Sequence, residues 1–132
     1  MKIVYQADDG AMFDNEIECR DYEWSRKICN ALSEKKIVML TYNMEVMKEK
    51  DFLNHRKLNF LIQDIYYFRC NDEKVLEILS EFFAEDFEKN VIYYYNEEDV
   101  EWIELDDFIY NYQSFLNDLL KAKTLIMDGI AT

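Results

Sequence analysis

The sequence of 132 residues contains no proline and only two glycines. This scarcity argues against long linkers and low-complexity segments, and no internal repeat is visible. The apolar runs are far shorter than a membrane span, and the opening stretch MKIVYQADDG lacks the apolar segment of a signal peptide. We therefore expect a cytoplasmic protein.

Residue types that commonly carry catalysis or bind metals are also scarce. His55 is the single histidine, and no second histidine or cysteine lies at ligand spacing from it. The three cysteines, Cys19, Cys29 and Cys70, show no ligand-like spacing, so we expect buried reduced thiols. No phosphate-binding glycine motif and no nucleophile-elbow motif occurs. The sequence therefore predicts no enzyme, no cofactor and no metal site, and we expect His55 to be an exposed residue.

Basic residues are in the minority, and their positions matter. The chain has 15 Lys and Arg against 28 Asp and Glu, which gives a net charge of −13. Counted along the sequence, residues 1–25 carry −5, residues 26–69 carry +4 and residues 70–132 carry −12. We expect no direct binding of nucleic acid to the acidic part, since phosphate binding depends on Lys and Arg. The charge favours a partner with a basic surface.

The composition indicates a folded chain, with 50% hydrophobic and 16% aromatic residues, and its length fits a single acidic domain, 1–132. β-rich runs predict strands, and apolar residues at helical spacing predict helices. We expect strands at 2–7, 36–43, 65–70, 91–95 and 100–105, and helices at 15–32, at 73–87 and after 107. This order predicts an α+β fold, a small and mostly antiparallel sheet with three to four helices packed on it.

Capping residues and apolar spacing support the three predicted helices. Asp14 and Asn15 are candidate caps of the first helix, and Asn15 with Glu18 resembles a capping box. Asn71-Asp72 cap the second helix, and Asp106-Asp107 cap the last one. The residues expected to face inward are Ile17, Trp24, Ile28, Ala31 and Leu32 in the first helix, Val75, Leu76, Leu79, Phe82, Phe83 and Phe87 in the second, and Ile109, Tyr112, Leu116, Leu119 and Leu120 in the last.

Residues 44–64 allow two interpretations. Met47, Leu58, Leu61 and Ile62 fit one face of a helix, but a strand that begins at Leu58 fits the same pattern.

The segment 93–108, YYYNEEDVEWIELDDF, has the most unusual composition. It holds three consecutive tyrosines, one tryptophan and seven carboxylates, with no basic residue. The turn Asn96–Asp99 predicts a β-hairpin, and alternation places Tyr93 and Tyr95 on one face of their strand and Tyr94 on the other. The candidate partner-binding residues are Tyr93, Tyr94, Tyr95, Glu97, Glu98, Asp99, Glu101, Trp102, Glu104, Asp106 and Asp107.

Two interpretations of this segment are open. Like charges on an edge hairpin protect it from aggregation and add solubility, with the tyrosines as half-buried strand residues. Alternatively, spaced carboxylates imitate nucleic-acid phosphates, and Tyr and Trp supply rigid anchors for a protein interface. In the second case the outward-facing rings are the expected anchors, and net charge steers association.

Two stretches carry a resemblance. YQADDGAMFDNEIECRDYE, near the start, and YYYNEEDVEWIELDDF resemble small accessory proteins of phages and mobile elements. This resemblance implies an inhibitor of host defence, in its most specific form an anti-CRISPR-like protein that acts in the host cytoplasm. Its implied partner is a host protein with a basic nucleic-acid-binding surface, such as a CRISPR effector. The resemblance implies no catalytic residue.

Two other function classes remain. One is a module that sequesters a small phosphorylated signalling ligand, for which Lys35, Lys36, Arg56 and Lys57 are the available basic residues. The other is a homo-oligomeric structural protein that uses its aromatic strands.

Overall fold

The computed structural model describes residues 2–129 and shows an α+β fold with two antiparallel sheets. The predicted fold class is therefore confirmed. The elements in chain order are β1 Tyr5–Gln6, β2 Met12–Phe13, α1 Glu16–Ser33, β3 Ile37–Leu40, 3₁₀ turns at Glu49–Phe52 and His55–Lys57, α2 Leu58–Gln63, β4 Tyr67–Cys70, α3 Glu73–Phe83, β5 Tyr93–Asn96, β6 Glu101–Glu104 and α4 Leu105–Gly129.

The main sheet has four strands in sequential order, β3-β4-β5-β6, and each pairs antiparallel with the next. Because side chains alternate along a strand, the sheet has two distinct faces. One face, called the core face, presents the buried residues Ile37, Met39, Phe68, Cys70 and Tyr93. These residues form one hydrophobic cluster with Trp24 and Ile28 of α1 and Val75 and Leu79 of α3. Helices α1 and α3 thus pack against the core face.

The opposite face of the sheet, called the open face, is less covered. Val38 and Arg69 are cross-strand partners on this face, and both are exposed. Tyr67 and Tyr94 are also partners there, and both are half-buried. The open face therefore carries an accessible aromatic surface.

The start of the chain forms a small hairpin that the sequence predicted in part. The predicted strand 2–7 is reduced to β1, which pairs with β2, a strand that we did not predict. Gly10 has φ +94° in the connecting turn, a value that glycine adopts without a steric cost. Asn15 then caps α1 as predicted, because its side chain accepts hydrogen bonds from the N–H groups of Ile17 and Glu18. Ile17 itself is exposed, so its predicted inward position is wrong.

Residues 44–64 contain two 3₁₀ turns and the short helix α2. Met47, Phe52, Leu58 and Ile62 are buried in the main cluster. The helical interpretation is confirmed for residues 58–63, and the alternative of a strand beginning at Leu58 is wrong.

Helix α3 is shorter than predicted. Its N-terminus has the predicted cap, since the Asp72 side chain accepts a hydrogen bond from the N–H of Val75 at 3.1 Å. Its C-terminus lies at Ala84, which adopts a left-handed φ of +53°. Phe87 is buried as expected, but it reaches the core from the segment after the helix.

Helix α4 differs most from its prediction. It begins at Leu105, whose N–H donates to the carbonyl of Ile92 at 2.9 Å, so Asp106 and Asp107 lie in its first turn and do not precede it. None of its residues from 105 to 129 is buried. The predicted inward positions Ile109, Tyr112, Leu116, Leu119 and Leu120 are wrong, since these side chains are 42–59% exposed. Among the described helices, none combines the length and apolar character that a membrane span requires.

Candidate functional site

The acidic aromatic segment forms the predicted hairpin of β5 and β6. Its register pairs Tyr93 with Glu104, Tyr94 with Ile103, Tyr95 with Trp102 and Asn96 with Glu101. Tyr93 and Tyr95 therefore lie on the core face with Trp102, and Tyr94 lies on the open face, as the alternation predicts.

Tyr93 belongs to the hydrophobic core. Its side chain is 6% exposed and packs against Phe68 and Phe87, with ring centroids 5.3 and 4.8 Å away. Its hydroxyl accepts a hydrogen bond of 2.7 Å from the N–H of Glu88, and burial raises the pKa of Tyr93. This burial takes Tyr93 out of the candidate interface.

Trp102 is half-buried and serves mainly as packing. Its ring contacts Phe68, Phe83 and Phe87 at centroid distances of 5.2, 5.0 and 5.7 Å. Its indole nitrogen is buried and has no hydrogen-bond partner among the described residues. The geometry thus gives Trp102 a supporting position beneath Tyr95, whose ring lies 5.2 Å away.

Tyr94 and Tyr95 both belong to the lining of a cleft of about 400 Å³. Tyr94 stacks on Tyr67 at 5.1 Å and contacts Phe108 of α4 at 5.3 Å. Tyr95 contacts Tyr66 at 5.8 Å. The cleft, called the tyrosine cleft below, is lined by Tyr42, Tyr66, Tyr67, Tyr94, Tyr95, Asn96, Glu97, Glu98, Phe108 and Tyr112.

A carboxylate is held directly over the tyrosine cleft. The hydroxyl of Tyr66 donates a hydrogen bond to Glu97, and this bond, together with burial, raises the pKa of Tyr66 to about 12. Tyr66 therefore stays neutral as a donor through the physiological range, and Glu97 stays fixed at the rim.

The hairpin turn orders the neighbouring carboxylates. The Asn96 side chain accepts a hydrogen bond from the N–H of Glu98 and donates one to Asp99, each at 3.2 Å. Val100 completes the turn with φ +52°, an unfavourable conformation for a β-branched residue. The turn thus presents Glu97, Glu98 and Asp99, all exposed, at one end of the hairpin.

A second group of carboxylates lies at the other end of β6. This group consists of Glu104, Asp106 and Asp107. Glu104 is about 10 Å from Glu101 along the strand, at roughly 3.3 Å per residue. A hydrogen bond with Asp107, and the charge of that residue, raise the pKa of Glu104. Within residues 2–129, none of the predicted carboxylates of either group forms an ion pair with Lys or Arg. Their negative charge is therefore available to an external cation.

The basic residues predicted for a phosphate ligand do not converge. Lys35 and Lys36 line a shallow cleft of about 260 Å³ together with Arg69, but Arg56 and Lys57 are absent from its lining. Lys36 is paired with Glu34 at 2.8 Å.

The residues considered for other chemistry have structural roles. His55 is half-buried between the rings of Phe13 and Tyr22, at 5.7 and 5.5 Å, so the expectation of an exposed histidine is wrong. The three cysteines are buried and free, as expected, and burial raises the pKa of each thiol. No group of His, Cys, Asp or Glu in residues 2–129 has an arrangement that could hold a metal ion.

Sequence reasoning located the hairpin but missed five of the seven aromatic residues that line the cleft. Tyr42, Tyr66, Tyr67, Phe108 and Tyr112 come from other elements. One signal was present, because the doublet Tyr66-Tyr67 at the start of a strand must place one ring on each face.

The lining of the tyrosine cleft is the main indication of what the protein binds, and comparisons with known proteins add no further indication. No family model matches the chain, and searches of curated proteins and of solved structures found no significant match. The lining of the tyrosine cleft combines aromatic rings with two carboxylates and contains no basic residue, and aromatic faces attract cations.

Proposed function

We propose that this chain is a non-catalytic binding protein whose tyrosine cleft receives cationic side chains of a basic partner protein. One observation carries the proposal: the cleft is lined by tyrosines from four separate segments, with Glu97 and Glu98 at its rim and no lysine or arginine in its lining.

The contacts match the needs of an arginine or lysine side chain. A cation is attracted to an aromatic face within about 6 Å, by about 0.5–2 kcal/mol depending on its desolvation. Tyr66, Tyr94 and Tyr95 offer such faces, and Glu97 offers a fixed carboxylate beside them. The Tyr66–Glu97 hydrogen bond is present before any partner arrives, so the carboxylate does not have to be ordered on binding.

Charge beyond the cleft supports the same kind of partner. Both carboxylate groups of the hairpin, with the net −13 of the chain, favour encounter with a basic surface and disfavour an acidic one. The two groups lie at opposite ends of β6, a strand that spans about 10 Å from Glu101 to Glu104, which suits a partner that displays several cations in a groove.

A narrower form of the proposal names the partner class. The resemblance to phage accessory proteins favours a host-defence protein with a nucleic-acid-binding surface, and an anti-CRISPR-like inhibitor is its most specific version. In that setting the protein acts in the host cytoplasm and competes with nucleic acid for the basic groove. Resemblance and charge support this form.

The proposal is tested with a labelled peptide of mixed Arg and Lys residues. Replacing Glu97, Glu98 and Glu101 by Gln and Asp99 by Asn removes the two carboxylates of the cleft rim and two neighbouring ones of the hairpin. The matched control removes four exposed charges elsewhere, by Glu77→Gln, Glu81→Gln, Glu85→Gln and Asp86→Asn. We expect the first variant to bind at least about tenfold more weakly than the control, which equals about 1.4 kcal/mol. Fluorescence anisotropy at low and at physiological salt measures both affinities.

Equal weakening of the two variants would mean that total charge alone attracts the peptide, and the cleft would then not be the binding site. Unchanged binding in both would leave protection of the hairpin edge as the role of these carboxylates.

One observation keeps a second candidate function in view. Lys35, Lys36 and Arg69 line a common cleft, which favours a small phosphorylated ligand. Calorimetry with nucleotides measures this directly, and binding that disappears in Lys35→Gln and Arg69→Gln variants would replace the first proposal.

A further inference from the structure

Helix α4 carries a surface that its own chain does not cover. Eight large apolar side chains between 42% and 64% exposed project from it. With 3.6 residues per turn they fall within an arc of about 140° around the helix. This surface, called the apolar stripe, consists of Ile109, Tyr112, Phe115, Leu116, Leu119, Leu120, Ile126 and Met127.

The size of the apolar stripe calls for a protein partner. Large side chains of the order of 200 Å² each, about half exposed, give on the order of 800 Å² of accessible area. The largest apolar patch of a typical monomer is about 300–600 Å². A standard interface buries about 800 Å² on each partner. The stripe therefore matches one side of a stable interface, and a helix with such a stripe is stable when that stripe is buried.

One charged residue lies inside the apolar stripe and indicates the orientation of the partner. Lys123 is separated from Leu116 and Leu119 by two turns and one turn, respectively, so it shares their side of the helix. The opposite end of α4 carries the carboxylates Asp106 and Asp107, next to Glu104. A parallel pair of α4 helices would place two Lys123 ammonium groups together. An antiparallel pair places each Lys123 against the acidic end of the other helix.

We propose that two copies of this chain associate through α4, with the two helices antiparallel and related by a twofold axis near residue 114. In this arrangement Lys123 of each copy lies opposite residues 105–106 of the other. Tyr112 lies opposite Leu116, and Ile109 opposite Leu119, so the part of the apolar stripe from Ile109 to Leu120 is buried against itself, while Ile126 and Met127 extend past the start of the other α4. Such an interface is self-complementary, as a twofold dimer requires.

Sedimentation velocity tests the association with the full chain in 150 mM salt, where a Debye length of about 8 Å screens the repulsion between two acidic copies. We expect a dimer in the micromolar range for the native sequence. Leu116→Asp places a charge in the stripe and should shift the dissociation constant upward by at least about 100-fold. Asn117→Asp, outside the stripe, is the matched control and should remain dimeric. Because Leu116 packs against no core in one copy, circular dichroism and thermal unfolding should show a folded Leu116→Asp chain.

Two independent measurements test whether the two α4 helices are antiparallel. Lys123→Asp should weaken the dimer, and the double variant Asp106→Lys with Lys123→Asp should recover it, because opposite charges face each other again. Mild oxidation should link Leu116→Cys chains to each other, since the two positions lie about 6 Å apart along an antiparallel axis. It should leave Ile126→Cys unlinked, because those positions are about 35 Å apart.

Three results would overturn the proposal. If the native protein is a monomer at a concentration of 100 micromolar, a second copy is not the partner that covers the stripe. A dimer that persists in Leu116→Asp places the interface on another surface, such as the open face of the sheet. Efficient linking of Ile126→Cys shows a parallel pair and contradicts the antiparallel arrangement.

Discussion

Tyr93 lies in the core, and the adjacent Tyr94 lies in the candidate interface. Changing Tyr93 to Ala should therefore mainly lower stability, whereas changing Tyr94 to Ala should mainly weaken binding. Tyr93 is 6% exposed among Phe68 and Phe87. Its truncation leaves a core cavity and takes the acceptor from the N–H of Glu88, so we expect a loss of about 3–5 kcal/mol of unfolding free energy. For a domain of this size that loss lowers the melting temperature by about 10–20 °C.

Tyr94 loses contacts of a different kind. Its half-buried ring stacks on Tyr67 and Phe108, and Ala at this position should cost about 1–2 kcal/mol of stability. If Tyr94 is an anchor, Tyr94→Ala should also raise the dissociation constant for the Arg/Lys peptide by about 30-fold, the equivalent of about 2 kcal/mol. The Tyr94→Phe control keeps the ring and should bind with nearly native affinity.

Thermal unfolding by circular dichroism and peptide binding by anisotropy give both quantities for each variant. Native affinity in Tyr94→Ala would refute the assignment of the tyrosine cleft as the binding site. A Tyr93→Ala chain with native stability would refute the core role that the packing gives to this ring.

Two further predictions concern the hairpin turn and the rim of the cleft. Val100 holds φ +52°, so Val100→Gly should raise the unfolding free energy by about 1 kcal/mol in urea titrations, and an unchanged midpoint would show that the turn is unstrained. The neutral phenol of Tyr66 donates to Glu97, so the stability from this bond is complete below pH 10 and is lost as the pH rises through the folded pKa of about 12. The pKa values of Tyr22, Tyr67 and Tyr93 are also raised, so the test is a phenolate transition near pH 12 that is present in the native protein and absent in Tyr66→Phe. A native titration without this transition would contradict the bond.

Local signals predicted the elements that depend on local contacts. Asn15 and Asp72 cap α1 and α3 because a short polar side chain reaches the free N–H groups of the next turn whatever the rest of the chain does. The hairpin of β5 and β6 is also encoded locally, by alternation and a polar turn. The ends were less accurate: β1 is limited to Tyr5–Gln6 because its pairing depends on β2, which has two residues and no pattern of its own.

The site was predictable only as far as one segment contains it. The carboxylates and Tyr94 lie in the hairpin, but Tyr42, Tyr66 and Phe108 reach the cleft through the register of the sheet and the start of α4. Helix α4 shows a second limit of prediction from sequence. Its spacing correctly predicted one apolar side, but spacing cannot tell whether that side meets the same chain or another surface.

The two tryptophans lie at positions where their fluorescence reports on different parts of the protein. Trp24 lies in α1 beneath the guanidinium of Arg20, which is 4.4 Å from its ring. Trp102 lies in an apolar environment next to Tyr95, one ring away from the tyrosine cleft. The emission of Trp102 should therefore respond when a ligand displaces Tyr95, while the emission of Trp24 follows the integrity of α1. In a Trp24→Phe variant, the fluorescence of Trp102 would thus measure ligand binding in the cleft without an attached label. The same sample would also report unfolding.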